Sequence, residues 1–287
     1  MTTAANLIPF AKAHLGGALE LSQEMSWPYR LDEWELALQL GQGFVLQSAG
    51  EVIGTAVWWA YGEADACAGM IIVAKRAQGR GHGARLMDAL LAAARPRSIT
   101  LNSTAEGLAL YERRGFARIG DVHQHQGVLK EVLKEVLKER QEAPSPSLVR
   151  AMVPSDAEAI ERLDREATGW ARRPMLDRLI QVGDGHVLAR DGVPRGYAIS
   201  RLFGRGHVIG PVVAESPTDA RALIEAALAR LVNAFVRVDT SGTSQLGEWL
   251  EGIGLLRDGD ATTMVLGTQT PSTGPARVFA LANQSFN

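Results

Sequence analysis

Apolar residues recur along the chain at helical and at strand periods, and the switches between the two lay out the elements. Residues 3–9 read as a first strand. Leu15, Leu19, Leu21 and Met25 suggest a helix, which Trp27-Pro28 ends. A second helix is predicted from Leu31 to Leu40, with Asp32 and Glu33 in its first turn, where the helix dipole favours acid. Gly41-Gln42-Gly43 breaks it. Phe44–Ser48 and Val52–Ala60 read as a strand pair turning through Ala49-Gly50-Glu51. Met70–Ala74 is an apolar run typical of a buried strand, and Leu86, Met87, Leu90, Leu91 and Ala94 mark a helix closed by Pro96. Ser98–Leu101 is a further strand. Ala105–Arg114 is a helix stopped by Gly115, and Phe116 opens the next strand.

Val128-Leu129, Val132-Leu133 and Val136-Leu137 recur every four residues among Lys-Glu pairs, as in an amphipathic helix. Pro144-Ser145-Pro146-Ser147 is the clearest linker and sets a boundary near residue 145. The second half repeats the order of the first. Helices are predicted at Pro154–Ala167 and Met175–Val182, and strands at Val187–Arg190, Gly196–Arg201 and His207–Ala214. Thr218–Val232 follows as a helix, Ala234–Val238 as a strand and Gln245–Gly252 as a short helix. Met70–Ala74 aligns with Gly210–Ala214, Ala84–Leu90 with Ala220–Ala226, and Gly115–Asp121 with Gly254–Asp260. The expected fold class is therefore α/β, two copies of one fold, each a mixed central sheet flanked by helices. The expected domains are residues 1–142 and 147–287.

The net charge of −2 argues against nucleic acid or an anionic membrane as the main partner. Cys67 is the only cysteine, so no disulfide within the chain and no cysteine metal site can form, and no metal is expected. No run of about 18 apolar residues occurs and the first residues do not resemble a secretion signal. A cytoplasmic protein is the default expectation.

Candidate chemistry lies where the Met70–Ala74 strand meets its helix. Lys75-Arg76-Ala77-Gln78-Gly79-Arg80-Gly81-His82-Gly83-Ala84 is a basic, glycine-rich turn at a helix start. The first amides of a helix lack intrahelical acceptors and sit at the positive end of its dipole, which suits phosphate. Glycines let a ligand come close to those amides. No Gly-Lys-Ser/Thr follows, and Gly-x-Gly-x-Gly is not the dinucleotide spacing. Gln78-Gly79-Arg80-Gly81-His82-Gly83 instead resembles the coenzyme A pyrophosphate loop, Gln/Arg-x-x-Gly-x-Gly/Ala, of the GNAT superfamily of N-acyltransferases. Leu108-Ala109-Leu110-Tyr111-Glu112-Arg113-Arg114-Gly115-Phe116 resembles a second signature of that family, Ala-x-x-Leu-Tyr-x-x-x-Gly-Phe, in the expected order.

The resemblance implies a first domain in which an amine attacks the thioester of acetyl-CoA directly. It implies pyrophosphate bound by Gln78, Gly79, Arg80, Gly81, His82, Gly83 and Ala84, with Met70, Ile71, Ile72 and Val73 as further cofactor-binding residues. Backbone amides near Ile72 and Val73 would hold the oxyanion, and Tyr111 would be the general acid. Many members carry Asn seven positions before the tyrosine. Thr104 stands there, with Asn102 nearby, and either is a candidate pantetheine contact. Many also carry a glutamate base on the central strand, but Cys67–Val73 has none, leaving Glu63, Asp65 or a water relay. In this fold the first two helices cover the acceptor site, so Trp27, Tyr29, Arg30, Trp58 and Tyr61 are its candidate lining. Core packing is the competing role for each aromatic residue. In the second half the loop Glu215–Asp219 is four residues shorter than Lys75–Gly83, lacks glycine and carries acid, and Leu250 stands in the place of Tyr111. That half is expected not to bind coenzyme A in the usual way. The functional expectation is an acetyltransferase acting on a small-molecule amine. A non-catalytic acyl-CoA sensor and a protein N-acetyltransferase are the alternatives, and a second copy of the chain is a candidate partner.

Overall fold

A computed structural model describes residues 5–129 and 149–287. The linker Pro144–Ser147 and nearly all of the Lys-Glu-Val-Leu repeat lie outside the described residues. Val128, placed at the start of that helix by its spacing, is instead the last residue of a strand.

The chain forms two compact units, neither a single continuous segment. The first comprises Met1–Ile119 with Thr263–Gln269 and Phe286; the second comprises Gly120–Thr262, Thr270–Ser285 and Asn287. Within the first, β1 (Asn6–Pro9) precedes α1 (Leu15–Glu24) and α2 (Leu31–Leu40). β2 (Gln42–Ser48), β3 (Glu51–Tyr61) and β4 (Asp65–Val73) then form an antiparallel meander. α3 (His82–Ala94), β5 (Ser98–Ser103) and α4 (Leu108–Glu112) follow. The sheet order is β1-β2-β3-β4-β5, and the end of β12 (Leu256–Leu266) lies beside β5. β4 and β5 are parallel and are connected through α3, as a parallel pair requires.

β4 is longer than its apolar run predicts. Asp65–Gly69 has no β-branched residue, yet β3 pairs along it and β5 pairs with Asp65–Cys67. α4 is shorter than predicted because its first turn begins only after Gly107. The interior holds Trp34, Val45, Leu46, Trp59, Leu86, Met87 and Leu90, all at most 1% exposed.

The second unit starts with most of β6 (Ala117–Val128), then β7 (Val149–Ala151), α5 (Ala157–Thr168), α6 (Arg173–Val182) and the strands β8 (Gly183–Arg190), β9 (Val193–Phe203) and β10 (Gly206–Ala214). α7 (Pro217–Leu228), β11 (Phe235–Ser241), α8 (Gly247–Gly252), the start of β12 and β13 (Arg277–Ala280) complete it. Its sheet order is β6-β11-β13-β10-β9-β8-β7. Leu223, Ile224, Ala227 and Leu228 of α7 pack on Ile209, Val212, Val236 and Val238 in its core. β12 answers to the alignment of Gly254–Asp260 with Gly115–Asp121, where a strand is predicted to open, and β13 has no counterpart among the predicted elements.

Candidate active site

β4 and β5 share register only over Asp65–Cys67 and Ser98–Thr100. Beyond those residues the strands splay, so among the described residues the edge of β4 from Ala68 to Val73 has no strand partner on that side. Parallel strands parting at their carboxyl ends make a crevice suited to a ligand. On its other edge β4 is bulged. Val57 pairs with Gly69 and Thr55 with Ile72, so Ala56 alone faces both Met70 and Ile71. Met70 takes φ +51°, a left-handed conformation that costs a residue with a side chain on the order of 1 kcal/mol. Its carbonyl accepts a 2.7 Å hydrogen bond from the Thr55 hydroxyl. Nothing in the strand pattern of residues 52–60 distinguishes Thr55.

The loop after β4 takes the form its glycines predict. Gly79 and Gly81 have φ of +75° and +77°, and a Cβ on either would point into open space. Gly81 is the N-cap of α3, and its carbonyl accepts the Arg85 amide at 3.0 Å. The amides of His82, Gly83 and Ala84 precede any i→i−4 acceptor and stand at the positive end of the helix. Gln78 Nε2 donates to the Val73 carbonyl at 3.0 Å, bracing the loop on the end of β4. Gly83 packs near Leu110 of α4 and Val73 of β4. Arg80 is exposed and His82 half-buried at this mouth, whereas Arg76 pairs with Glu51 at 2.8 Å.

Tyr111 projects from α4 and is 7% exposed. Its ring meets Phe116 edge to face with centroids 5.8 Å apart, the packing role and the chemical role being compatible. Burial pushes its phenol up to about 12, so the hydroxyl keeps its proton at any physiological pH. Thr104 serves the turn before α4: its carbonyl accepts from Ser103 Oγ and from the Gly107 amide. The turn's own backbone amide, then the Thr104 hydroxyl, hold Glu106 below the usual carboxylate range. Asn102 Oδ1 accepts from Thr263 Oγ1 of β12 at 2.8 Å.

Other predicted site residues are not gathered here. Glu63 lies on the β3–β4 turn, 98% exposed, 3.6 Å from Arg97. Asp65 is buried at the first position of β4, about 16 Å along the strand from Met70 at ~3.3 Å per residue. Neither lies at the splayed end. Trp27 and Tyr29 pack edge to face at 6.3 Å, and Tyr29 continues to the buried Trp34 at 6.0 Å. Arg30 caps α2 through its amide, which donates to Glu33, and its Nε pairs with Asp32 at 3.2 Å. Trp58 shares a strand face with Gly54, which Leu86 of α3 approaches, and it carries the Arg97 guanidinium 5.7 Å from its ring. It lines a hollow of about 210 Å³ with Gln39, Leu40, Gly41, Gln42 and Ala60. Trp59 and Tyr61 point to the opposite face, where Trp59 Nε1 donates to the Ala37 carbonyl and Tyr61 Oη to that of Phe286 at 2.6 Å. The five candidates therefore fall in three places. Among the described residues no cluster of three His, Cys, Asp or Glu side chains could hold a metal ion, and no helix is long and apolar enough to cross a membrane.

The equivalent positions in the second unit are filled. β10 and β11 pair only at His207–Val208 with Val236–Arg237. β13 enters their splay, pairing Arg277, Val278 and Ala280 with Ala214, Val213 and Val212, and Ala280 also with Thr240. A Cβ on Gly210 would collide with the Leu281 carbonyl. At the start of α7, Ser216 accepts the Asp219 amide, and Arg190 pairs with Asp219 at 2.5 Å. Glu215 lies 3.5 Å from Arg195. Leu250 is fully buried.

Two family models, each described as an acetyltransferase (GNAT) domain, match residues 39–118 and 160–280. The chain is 27% identical to the uncharacterized N-acetyltransferase YitH of Bacillus subtilis (strain 168), over the full length of both. Its fold resembles that of a candidate acetyltransferase from Pyrococcus horikoshii, with a TM-score of 0.78 at 16% identity, covering 99% of this chain and 96% of the other. It also resembles a tandem GNAT protein from the clavulanic acid biosynthesis pathway, with a TM-score of 0.65 at 16% identity over 93% of this chain and all of the other. With a GNAT match in each half and a relative aligned from end to end, the chain belongs to the GNAT acetyltransferases, as a member carrying two such domains in tandem.

Proposed function

We propose that the first unit binds acetyl-CoA in the splay between β4 and β5 and transfers its acetyl group to the amine of a small molecule. The observation that carries this reading is three features in succession along β4, α3, β5 and α4. An open glycine turn stands at the start of α3, the edge of β4 from Ala68 to Val73 has no β5 partner among the described residues, and the protonated hydroxyl of Tyr111 sits on the helix after β5. The pyrophosphate would lie on Gln78–Ala84, with Arg80 and His82 as added donors. The pantetheine arm would run along Met70–Val73.

In that arrangement the amine nitrogen attacks the thioester carbon, and backbone amides near Ile72 and Val73 receive the developing oxyanion. As the carbon–sulfur bond breaks, Tyr111 gives its proton to the leaving thiolate and is reprotonated from solvent. Glu63 and Asp65 stand at the other end of β4, so we assign the amine's proton to water rather than to either carboxylate. The products are the N-acetyl amine and coenzyme A.

One observation favours a second reading. No carboxylate is found from Cys67 to Val73, which suits an acyl-CoA sensor without turnover. Coenzyme A release from acetyl-CoA, measured across small amines and across peptides with free N-termini or lysines, separates the readings. Release with a small amine and none with peptides is expected. Release with peptides alone would assign a protein acceptor, and binding of acetyl-CoA without release under any condition would leave the sensor.

A further inference from the structure

The bulge in β4 decides which amides of that strand face the cleft. Side chains and amides alternate along a strand, and one extra residue advances the alternation by one. Without the bulge, every backbone group from Met70 to Val73 would exchange sides. Such a bulge normally places glycine at the left-handed position. Here that position is Met70, at φ +51°. Something other than glycine must hold it there, and one side chain does so. Thr55 is fully buried, sits opposite Ile72, and donates its hydroxyl hydrogen to the Met70 carbonyl at 2.7 Å. Thr55 and Met70 are both buried, so the bond lies away from bulk solvent and fixes the direction of the turned peptide.

We propose that Thr55 is a positioning residue for acetyl transfer: its hydroxyl locks the Met70 bulge and thereby aims the amides of the following residues at the thioester carbonyl. The inference rests on the reading of the β4–β5 splay as the acetyl-CoA cleft. Thr55 touches neither reactant; it acts through the Met70 peptide. Free coenzyme A has no thioester carbonyl for those amides to polarise, so the effect of Thr55 is confined to the acylated form.

The test uses the full chain, acetyl-CoA labelled with ¹³C at the carbonyl, and free coenzyme A. In wild type the carbonyl stretch of bound acetyl-CoA should move to lower wavenumber, as expected when amides polarise it. Thr55→Val keeps the side-chain shape without the hydroxyl and should lose at least half of that shift, while free coenzyme A binds within about twofold of wild type. Thr55→Ser should restore the shift. Thr55→Ala carries the same reading if the valine variant does not fold. A full shift in Thr55→Val would overturn the proposal and leave the cleft intact. So would a parallel loss of affinity for both ligands that serine does not rescue, which would reduce Thr55 to holding the fold. Absence of acetyl-CoA binding in wild type would instead remove the cleft reading itself.

Discussion

Tyr111 keeps its proton because burial disfavours the phenolate, and the same burial makes a pH-dependent contribution to stability. The folded-state value is raised to about 12 from an ordinary value of 10.0. Its contribution is therefore fully present below about pH 10 and lost as the pH rises toward 12. The size is roughly 2 to 3 kcal/mol, at about 1.4 kcal/mol per pH unit. Tyr111→Phe should keep its stability between pH 10 and 12 where wild type loses it, as read by denaturant titration at each pH. The same variant should lower kcat by about 10² to 10⁴ with little change in KM for acetyl-CoA. Wild-type turnover with an unchanged pH profile would exclude Tyr111 as the acid. The tyrosine is legible in the sequence because its neighbours form a local pattern. Tyr61 is not: the Phe286 carbonyl that it reaches is 225 positions away, and no window of sequence joins the two.

At the scale of the element, the turn between β4 and α3 is where sequence and structure agree most closely. The reason is that its glycines are demanded locally. Gly79 and Gly81 are left-handed with nothing beside them, so steric packing does not explain them, while backbone conformation and access for a ligand do. Gly81→Glu places a negative chain at the helix start and strains φ by about 1 kcal/mol. Calorimetry should show acetyl-CoA binding abolished, and the melting temperature should fall by only about 2–4 °C. Unchanged affinity would move the phosphate elsewhere. The helices α1 and α2 were equally legible, through their apolar spacing. β12 was legible only through the internal repeat, which sets Gly254–Asp260 against Gly115–Asp121, where Phe116 opens a strand. β13 was not legible: Arg277–Ala280 is four residues long and is a strand because neighbouring backbone satisfies it, which is a property of the tertiary fold.

At the scale of the whole molecule, the two copies of one fold differ in what occupies the splay between their central parallel strands. In the second unit β13 supplies backbone partners to both parted strands, and the acidic turn at α7 is neutralised by Arg190 and Arg195. Titration with acetyl-CoA should therefore saturate at one equivalent per chain, and two equivalents would mean that β13 yields to the ligand. The division of the chain also has a consequence for its synthesis. Residues 263–269 and 286 belong to the first unit, although its other described residues end at Ile119. A ribosome adding ~5–20 residues per second needs about 10–30 s more to deliver that last contribution. Through that interval the edge of β5 waits for Thr263, and Tyr61 for the Phe286 carbonyl. A stop codon ahead of residue 263 would thus damage the part of the protein that was translated first.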